Sequence, residues 1–198
     1  GLADGKPAGP QATGGTDITA QTAVSTWNID ASHSIAEFAV KHMMIATAKG
    51  RFATLEGAIE IDEANPLASS VTATIDVASI DTKDEQRDAH LRSDDFFNAE
   101  KFPKITFASK RVERVDADNY RVIGDLTIRD VTKEVVLDTE FGGQVADPWG
   151  NQRAGFMATT QVNRKEFGLK WNNLLETGAV AVGDKVKITL HIEAVRAA

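Results

Sequence analysis

From Trp27 onward the chain repeats one constraint: apolar residues return at every second position, run after run. That period belongs to extended strands with one face toward a core, because successive side chains of a strand point to opposite sides. Ser34 to His42 places Ala36, Phe38, Val40 and His42 on one face, with Glu37 and Lys41 on the other. Val71, Ala73, Ile75 and Val77 alternate with polar residues in the same way, as do Tyr120, Val122, Gly124, Leu126 and Ile128. Val135 to Phe141, Ala154 to Val162 and Val186 to Ala194 continue the pattern. With Lys49 to Ile61 and Lys104 to Val115, eight strands are predicted. Eight strands that each have one apolar face either fold over as a sandwich or close, and closure also removes edges that invite aggregation. The expected fold is all-β: an extended eight-stranded antiparallel barrel with a short helix before the fifth strand.

The helix signal lies in DEQRDAHLRSDDFFNAEKFPKITF, from Asp84 to Phe107. Thr82 and Glu85 fit a capping box, which starts the helix near Asp84 and puts Arg87 and Leu91 on one face. Phe96, Phe97 and Phe102 follow, Pro103 stops any helix, and alternation resumes with Ile105 and Phe107. Charged groups beside clustered aromatics suggest a pocket with a polar mouth.

A chain of 198 residues with 42% hydrophobic content suits one domain. Residues 1–25, rich in Gly, Ala, Thr and Gln, carry no periodicity and read as a flexible arm, leaving 26–198 for the barrel. No apolar run approaches the roughly 18–20 residues of a membrane helix, so a soluble protein without a transmembrane segment is expected. The net charge of −7 argues against a nucleic-acid partner, and the surface should repel DNA and anionic membranes. With no cysteine, disulfides and thiolate chemistry are excluded. The first residues show no signal peptide; a cytoplasmic location is favoured, with periplasmic or secreted locations left open.

Small residues are frequent on the inward faces, among them Ala36, Ala73, Gly124, Thr139, Ala154, Ala158 and Thr160. A barrel of about eight strands either fills with its own side chains or holds one small ligand, and alternation alone does not choose. Of the histidines His33, His42, His90 and His191, the last shares an outward face with Glu193; no metal-ligand spacing results, and no metal is expected. His42 falls on an inward face and should be buried or near a barrel end, needing a hydrogen-bond partner or a ligand. Trp149 and Trp171 lie in loop-like segments, where either could plug a barrel end, the favoured reading, or line an opening.

The motifs as a set resemble the YceI-like family of lipocalin-like, polyisoprenoid-binding proteins. The resemblance runs from Trp27-Asn-Ile-Asp30 and His33-Ser34 through Phe38-Ala-Val-Lys-His42 and Gly50-Arg-Phe52. It is strongest over Arg87-Asp-Ala-His-Leu-Arg-Ser93 and Asp95-Phe-Phe97, and continues with Phe102-Pro103, Ile105-Thr-Phe107, Gly124-Asp-Leu-Thr-Ile128, Asn163-Arg164, Phe167-Gly-Leu169 and Val182-Gly-Asp184. Asp130 and Glu166 depart from the usual pattern at turns.

This likeness implies a lipocalin-like barrel whose apolar lumen takes a polyisoprenoid, an isoprenoid quinone or a fatty-acid-like lipid, and it does not imply an enzyme or a cofactor. The expected tail contacts are Phe38, Val40, Phe52, Ile75, Val77, Phe96, Phe97, Phe107, Val122, Leu126, Phe156 and Ile188. The expected head-group contacts are His42, Arg87, His90, Arg92 and Arg164, since guanidinium and imidazole groups can donate to a polar end group. Against that, Arg87 and Arg92 could pair with neighbouring aspartates, and Asn163 and Arg164 could tie a loop to the barrel. Two other readings remain at this point: a filled barrel that binds a partner, and an enzyme on prenyl lipids using His42, or His90 with Asp88. A homodimer is also compatible with the sequence.

Overall fold

The computed structural model describes residues 24–172 and 181–198. Eleven strands form one sheet: β1 (Val24–Ile29), β2 (Ile35–His42), β3 (Ala46–Phe52), β4 (Leu55–Asp62), β5 (Ser70–Asp76), β6 (Ile80–Asp81), β7 (Lys104–Arg114), β8 (Asn119–Ile128), β9 (Val131–Ala146), β10 (Gln152–Asn163) and β11 (Val182–Arg196). The sheet closes on itself because β11 pairs with β10 on one side and with both β1 and β2 on the other. β1 and β2 are therefore one stave with a bend, and so are β3 with β4 and β5 with β6, since β4 pairs β1 and β5 while β3 pairs β2 and β6. Eight antiparallel staves result, joined in simple up-and-down order, as the alternation predicts. Most of the expected arm lies outside the described residues; its last part, Val24 and Ser25, already belongs to β1.

The bends keep their backbone groups bonded, which a wall passing between core and solvent requires. At the first, Asp30 N donates to Glu193 O over 2.8 Å, and Glu193 N donates to the Ser34 hydroxyl over 3.0 Å. The second and third bends face each other across Ser79: Ala53 N donates to its carbonyl, Thr54 N to its hydroxyl, and that hydroxyl to Asp76 O.

Two interruptions shift the inward phase. Ser109 pairs with Gly124 but Arg111 with Ile123, so Lys110 is a bulge and Val112 turns inward. Gly155 pairs with Gly143 but Phe156 with Phe141, which leaves Gly142 as the extra residue.

The helix α1 (Glu85–Arg92) lies between the third and fourth staves, directly ahead of the strand at Lys104, so three staves precede it rather than four. Its cap is Asp84, whose carboxylate accepts from Arg87 N at 3.1 Å. Thr82 does other work. Its backbone N–H donates to the buried Asp88 carboxylate at 2.9 Å, and its hydroxyl binds the same oxygen.

At the barrel end away from α1, Trp27 is 0% exposed, packed with Ala154 and Ala194 and flanked by Ile59, Ile61, Phe141 and Phe156. Its indole N–H donates to the Ser25 hydroxyl over 2.8 Å, which lets a polar edge sit in a dry place. Just outside, Arg153 bridges Asp30 (2.9 Å), Asp147 (2.8 Å) and Glu193 (3.1 Å), tying β1, β10, β11 and the β9–β10 loop. Hydrogen bonds from Ser32, His33 and Arg153 hold the Asp30 carboxyl far below its usual range.

Trp27→Ala should lower stability by about 3–5 kcal/mol, the range for emptying a buried aromatic site, read as a shift of the urea midpoint. The depressed Asp30 gives a second expectation. Its contribution is present above the ordinary aspartate value and is lost as pH falls through the folded value, so the stability gap between wild type and Asp30→Asn should hold at neutral pH and narrow below about pH 4. Urea midpoints taken from pH 7 downward check this, and a gap that widens with acid contradicts it.

Candidate functional site

The inward residues of all eight staves enclose a cavity of about 380 Å³, inside the roughly 300–1,000 Å³ range of small-molecule sites. Its walls come from side chains such as Ile75, Val122, Leu137, Phe156, Ile188 and Leu190. Many of these point inward yet are only half-buried, which means that they face open space rather than a side chain opposite. The lumen is not filled by its own residues.

Two glycines keep it clear. The Phe38 ring lies across Gly50, where a Cβ would come within 2.9 Å of Cε1, and the Phe107 ring lies across Gly124, where it would come within 2.6 Å of Cζ. Each ring folds flat against the neighbouring stave instead of crossing the cavity, a pairing that also covers the bare glycine backbone.

At the α1 end the packing is dense. Phe96, Phe167 and Leu169 are buried, and Phe52 meets Phe38 and Phe97 at 5.6 Å between ring centres. Arg129, in left-handed conformation at the β8–β9 turn, donates to Asp94 O (3.0 Å) and Phe96 O (2.8 Å) and pairs with Asp94, clamping this segment to the barrel. Toward the β2–β11 edge the half-buried Val40 and Val182 border the cavity, and at the opposite end the exposed Pro66, Ser70 and Gln144 do.

The expected tail contacts Phe38, Val40, Phe52, Ile75, Phe96, Phe97, Phe107, Val122, Leu126, Phe156 and Ile188 all line the cavity. Val77 does not: β5 ends at Asp76, and Val77 opens a short 3-10 turn that buries its side chain in the wall. Several lining residues carried no expectation as contacts, notably Ile59 and Ile61 near Trp27, Leu137 and Phe141 on β9, and Phe167 and Leu169 after β10. The β9 pair was visible in the alternation; Phe167 and Leu169 lie outside any strand, where alternation gives no signal.

Of the expected head-group residues, four of the five do not border the cavity. His42 is exposed, for β11 slips register between Val182 and Val186 and leaves this last residue of β2 at the rim. Arg87 is held by Thr82, donating to its hydroxyl (2.8 Å) and its carbonyl (2.7 Å), and Arg92 donates to Ala78 O and Ile80 O; neither pairs with the aspartates considered above. His90 bonds Asp95 at 2.8 Å on the outside and stacks edge-on with Phe96 and Trp171.

Arg164 is the member that reaches the lumen. It is 5% exposed and donates to Gly183 O (2.8 Å), Leu169 O (2.7 Å), Trp171 O (2.9 Å) and Val182 O (3.3 Å). Asn163 caps the turn that carries it, Arg164–Phe167, and Gly168 ends that turn in left-handed conformation. Burial pushes the guanidinium down, opposed in part by Asp184. Of the two loop tryptophans, Trp171 packs on the core whereas Trp149 is 79% exposed in the β9–β10 loop. His191 faces solvent near Glu37 at 3.3 Å. Asp30, His33 and Glu193 do gather within metal-ligand reach, but the Arg153 guanidinium already bridges both carboxylates.

The eight staves close into an antiparallel barrel around an apolar lumen. The profile of the YceI-like domain matches residues 27–194, and the chain belongs to this family. A UPF0312 protein of Staphylococcus aureus strain USA300 is 40% identical over 171 residues, 86% of this chain and 97% of that protein. The YceI protein of Campylobacter jejuni has a crystal structure that superposes with a TM-score of 0.68 at 31% identity, covering 80% of this chain and 90% of that one. A polyisoprenoid-binding domain from Saccharophagus degradans, implicated in plant cell wall breakdown, shares the fold with a TM-score of 0.66 at 16% identity, covering 89% and 99%. In the described residues no helix is long and apolar enough to cross a membrane.

Arg164→Met should leave buried carbonyls unpaired and lower stability, each one costing on the order of 1–3 kcal/mol. Amide exchange should quicken first in 164–172. Unchanged protection there would separate Arg164 from the anchoring of that loop.

Proposed function

We propose that the lumen binds the hydrocarbon chain of an isoprenoid or a similar amphiphilic lipid (a polyisoprenoid, an isoprenoid quinone or a fatty-acid-like molecule) and that the protein carries or sequesters it. The observation that carries this reading is an apolar cavity of about 380 Å³ lined by inward side chains of all eight staves, many of them only half-buried. Water in such a space is poorly held, and each CH₂ moved into it gains roughly 0.8 kcal/mol. Membership of the family and the shared fold of a domain described as polyisoprenoid-binding support the same class of guest.

The tail contacts are the eleven expected residues that line the cavity, together with Leu137 and Leu190. Arg164 is the proposed neighbour of a polar end group: it borders the lumen, and its buried charge has no carboxylate in salt-bridge contact among the described residues. Apolar burial is indifferent to tail chemistry, so selectivity rests on the width and length of the lumen. The filled-barrel reading lacks support, because the cavity is open.

Extraction of the natively purified protein followed by mass spectrometry should return a long-chain lipid near one per chain. Val122→Trp, which fills the lumen at its middle, should keep the fold and lose most of that lipid. Lipid retained by this variant, or none recovered from the wild type under any mild purification, overturns the proposal.

A further inference from the structure

The hairpin between β2 and β3 turns through Met43, Met44 and Ile45, where Met43 N donates to Ala181 O over 2.9 Å. These apex side chains are turned to solvent, Met44 at 56% and Ile45 at 86% exposure. Met43 and Met44 both hold positive φ, 52° and 60°, the left-handed region where a bulky residue is strained and Asn or Gly is at ease. A tight apex selected for backbone comfort would be polar. This one places three apolar side chains in a row, all of them exposed.

Behind the apex lies a basic collar. Lys41 is two residues before Met43, or about 7 Å along the strand. Lys187, Ala39 and Lys49 form one cross-strand row on the outward face of β11, β2 and β3, and Lys185 precedes Lys187 on that face. Lys41, Lys49, Lys185 and Lys187 pair with no carboxylate among the described residues. The acids that border them are already engaged: Glu37 with His191 at 3.3 Å, Asp81 with Arg51 at 3.6 Å and Asp184 with Lys165 at 3.3 Å. The net charge of the whole chain therefore misstates this corner, since charges farther away than about 10 Å are screened at ordinary ionic strength.

We propose that this hairpin is a membrane-docking tip, with Met43, Met44 and Ile45 entering the interface of a bilayer and the lysine collar meeting anionic phospholipid head groups. An apolar tip ringed by long cationic side chains suits that boundary, because the stems lie along the acyl edge while the ammonium groups stay among the phosphates. Val40 and Val182, beside the hairpin base, border the lumen, so docking would set the apolar wall next to the bilayer. The contact itself does not depend on what the lumen holds.

The test is co-sedimentation of the full chain with vesicles of phosphatidylcholine, with or without phosphatidylglycerol. The triple variant Met43→Asn, Met44→Asn, Ile45→Thr should be at least as stable as the wild type, because Asn accepts the left-handed backbone, and should bind phosphatidylglycerol vesicles about tenfold more weakly. Lys41→Gln with Lys49→Gln and Lys187→Gln should remove the preference for the anionic vesicles. Equal binding by wild type and tip variant, no binding by the wild type, or a tip-dependent dimer in light scattering without vesicle binding would each overturn the proposal. Lumen lipid, extracted from the same preparations, should be unchanged in the tip variant, so failure of docking and failure of lipid binding read separately.

Discussion

Closure of the hydrogen-bond ladder is the constraint on which everything else in this molecule rests. A sheet of eight staves that meets itself must tilt and bend, and each bend threatens to strand backbone groups in the wall. Here the repair is local: Ser34 and Ser79 hydroxyls supply the bonds that the kinked strands cannot make to one another. Three staves can then change direction without opening the barrel, and the lumen keeps a continuous wall.

With the wall secured, the interior becomes a question of volume. Small residues on inward faces are ambiguous, since they serve a tightly interlocked core as well as an empty one. What decides is where the large neighbours go. Phe38 and Phe107 spend their bulk against glycines of adjacent staves, Phe96 and Phe167 gather at one end, and Trp27 occupies the other. The middle is left bare.

Much of this was readable from the chain because a period of two survives any twist or tilt of the sheet. The staves and their inward faces follow from it, while the helix ahead of Lys104 shows in its start signal near Asp84 and the four-residue spacing of Arg87 and Leu91. The reading lapses where a single extra residue flips the phase, as at Lys110 and Gly142, which turned Val112 inward unannounced. It lapses also at rims, where His42 keeps the inward phase but has no opposite wall to bury it. The arginines were harder still. Arg87, Arg92 and Arg164 are fixed by carbonyls of Thr82, Ala78, Ile80, Leu169, Trp171, Val182 and Gly183, and backbone acceptors leave no mark in a sequence. Their charge invited a ligand; their surroundings supply partners instead, and Arg164 meets the lumen only because the turn that holds it does.

The bent second stave has one more effect. From Ala46 to Gly50, β3 is laddered to β2 alone, and β6 joins it only at Arg51 and Phe52. Among the described residues no second strand pairs with that stretch, so it is the kind of margin along which neighbouring molecules can add strands. Its composition resists this. Ala, Thr, Ala, Lys and Gly form a run with little appetite for extended pairing, and Lys49 plants a charge in the middle of it. A lysine on such a margin discourages a second molecule from extending the sheet there.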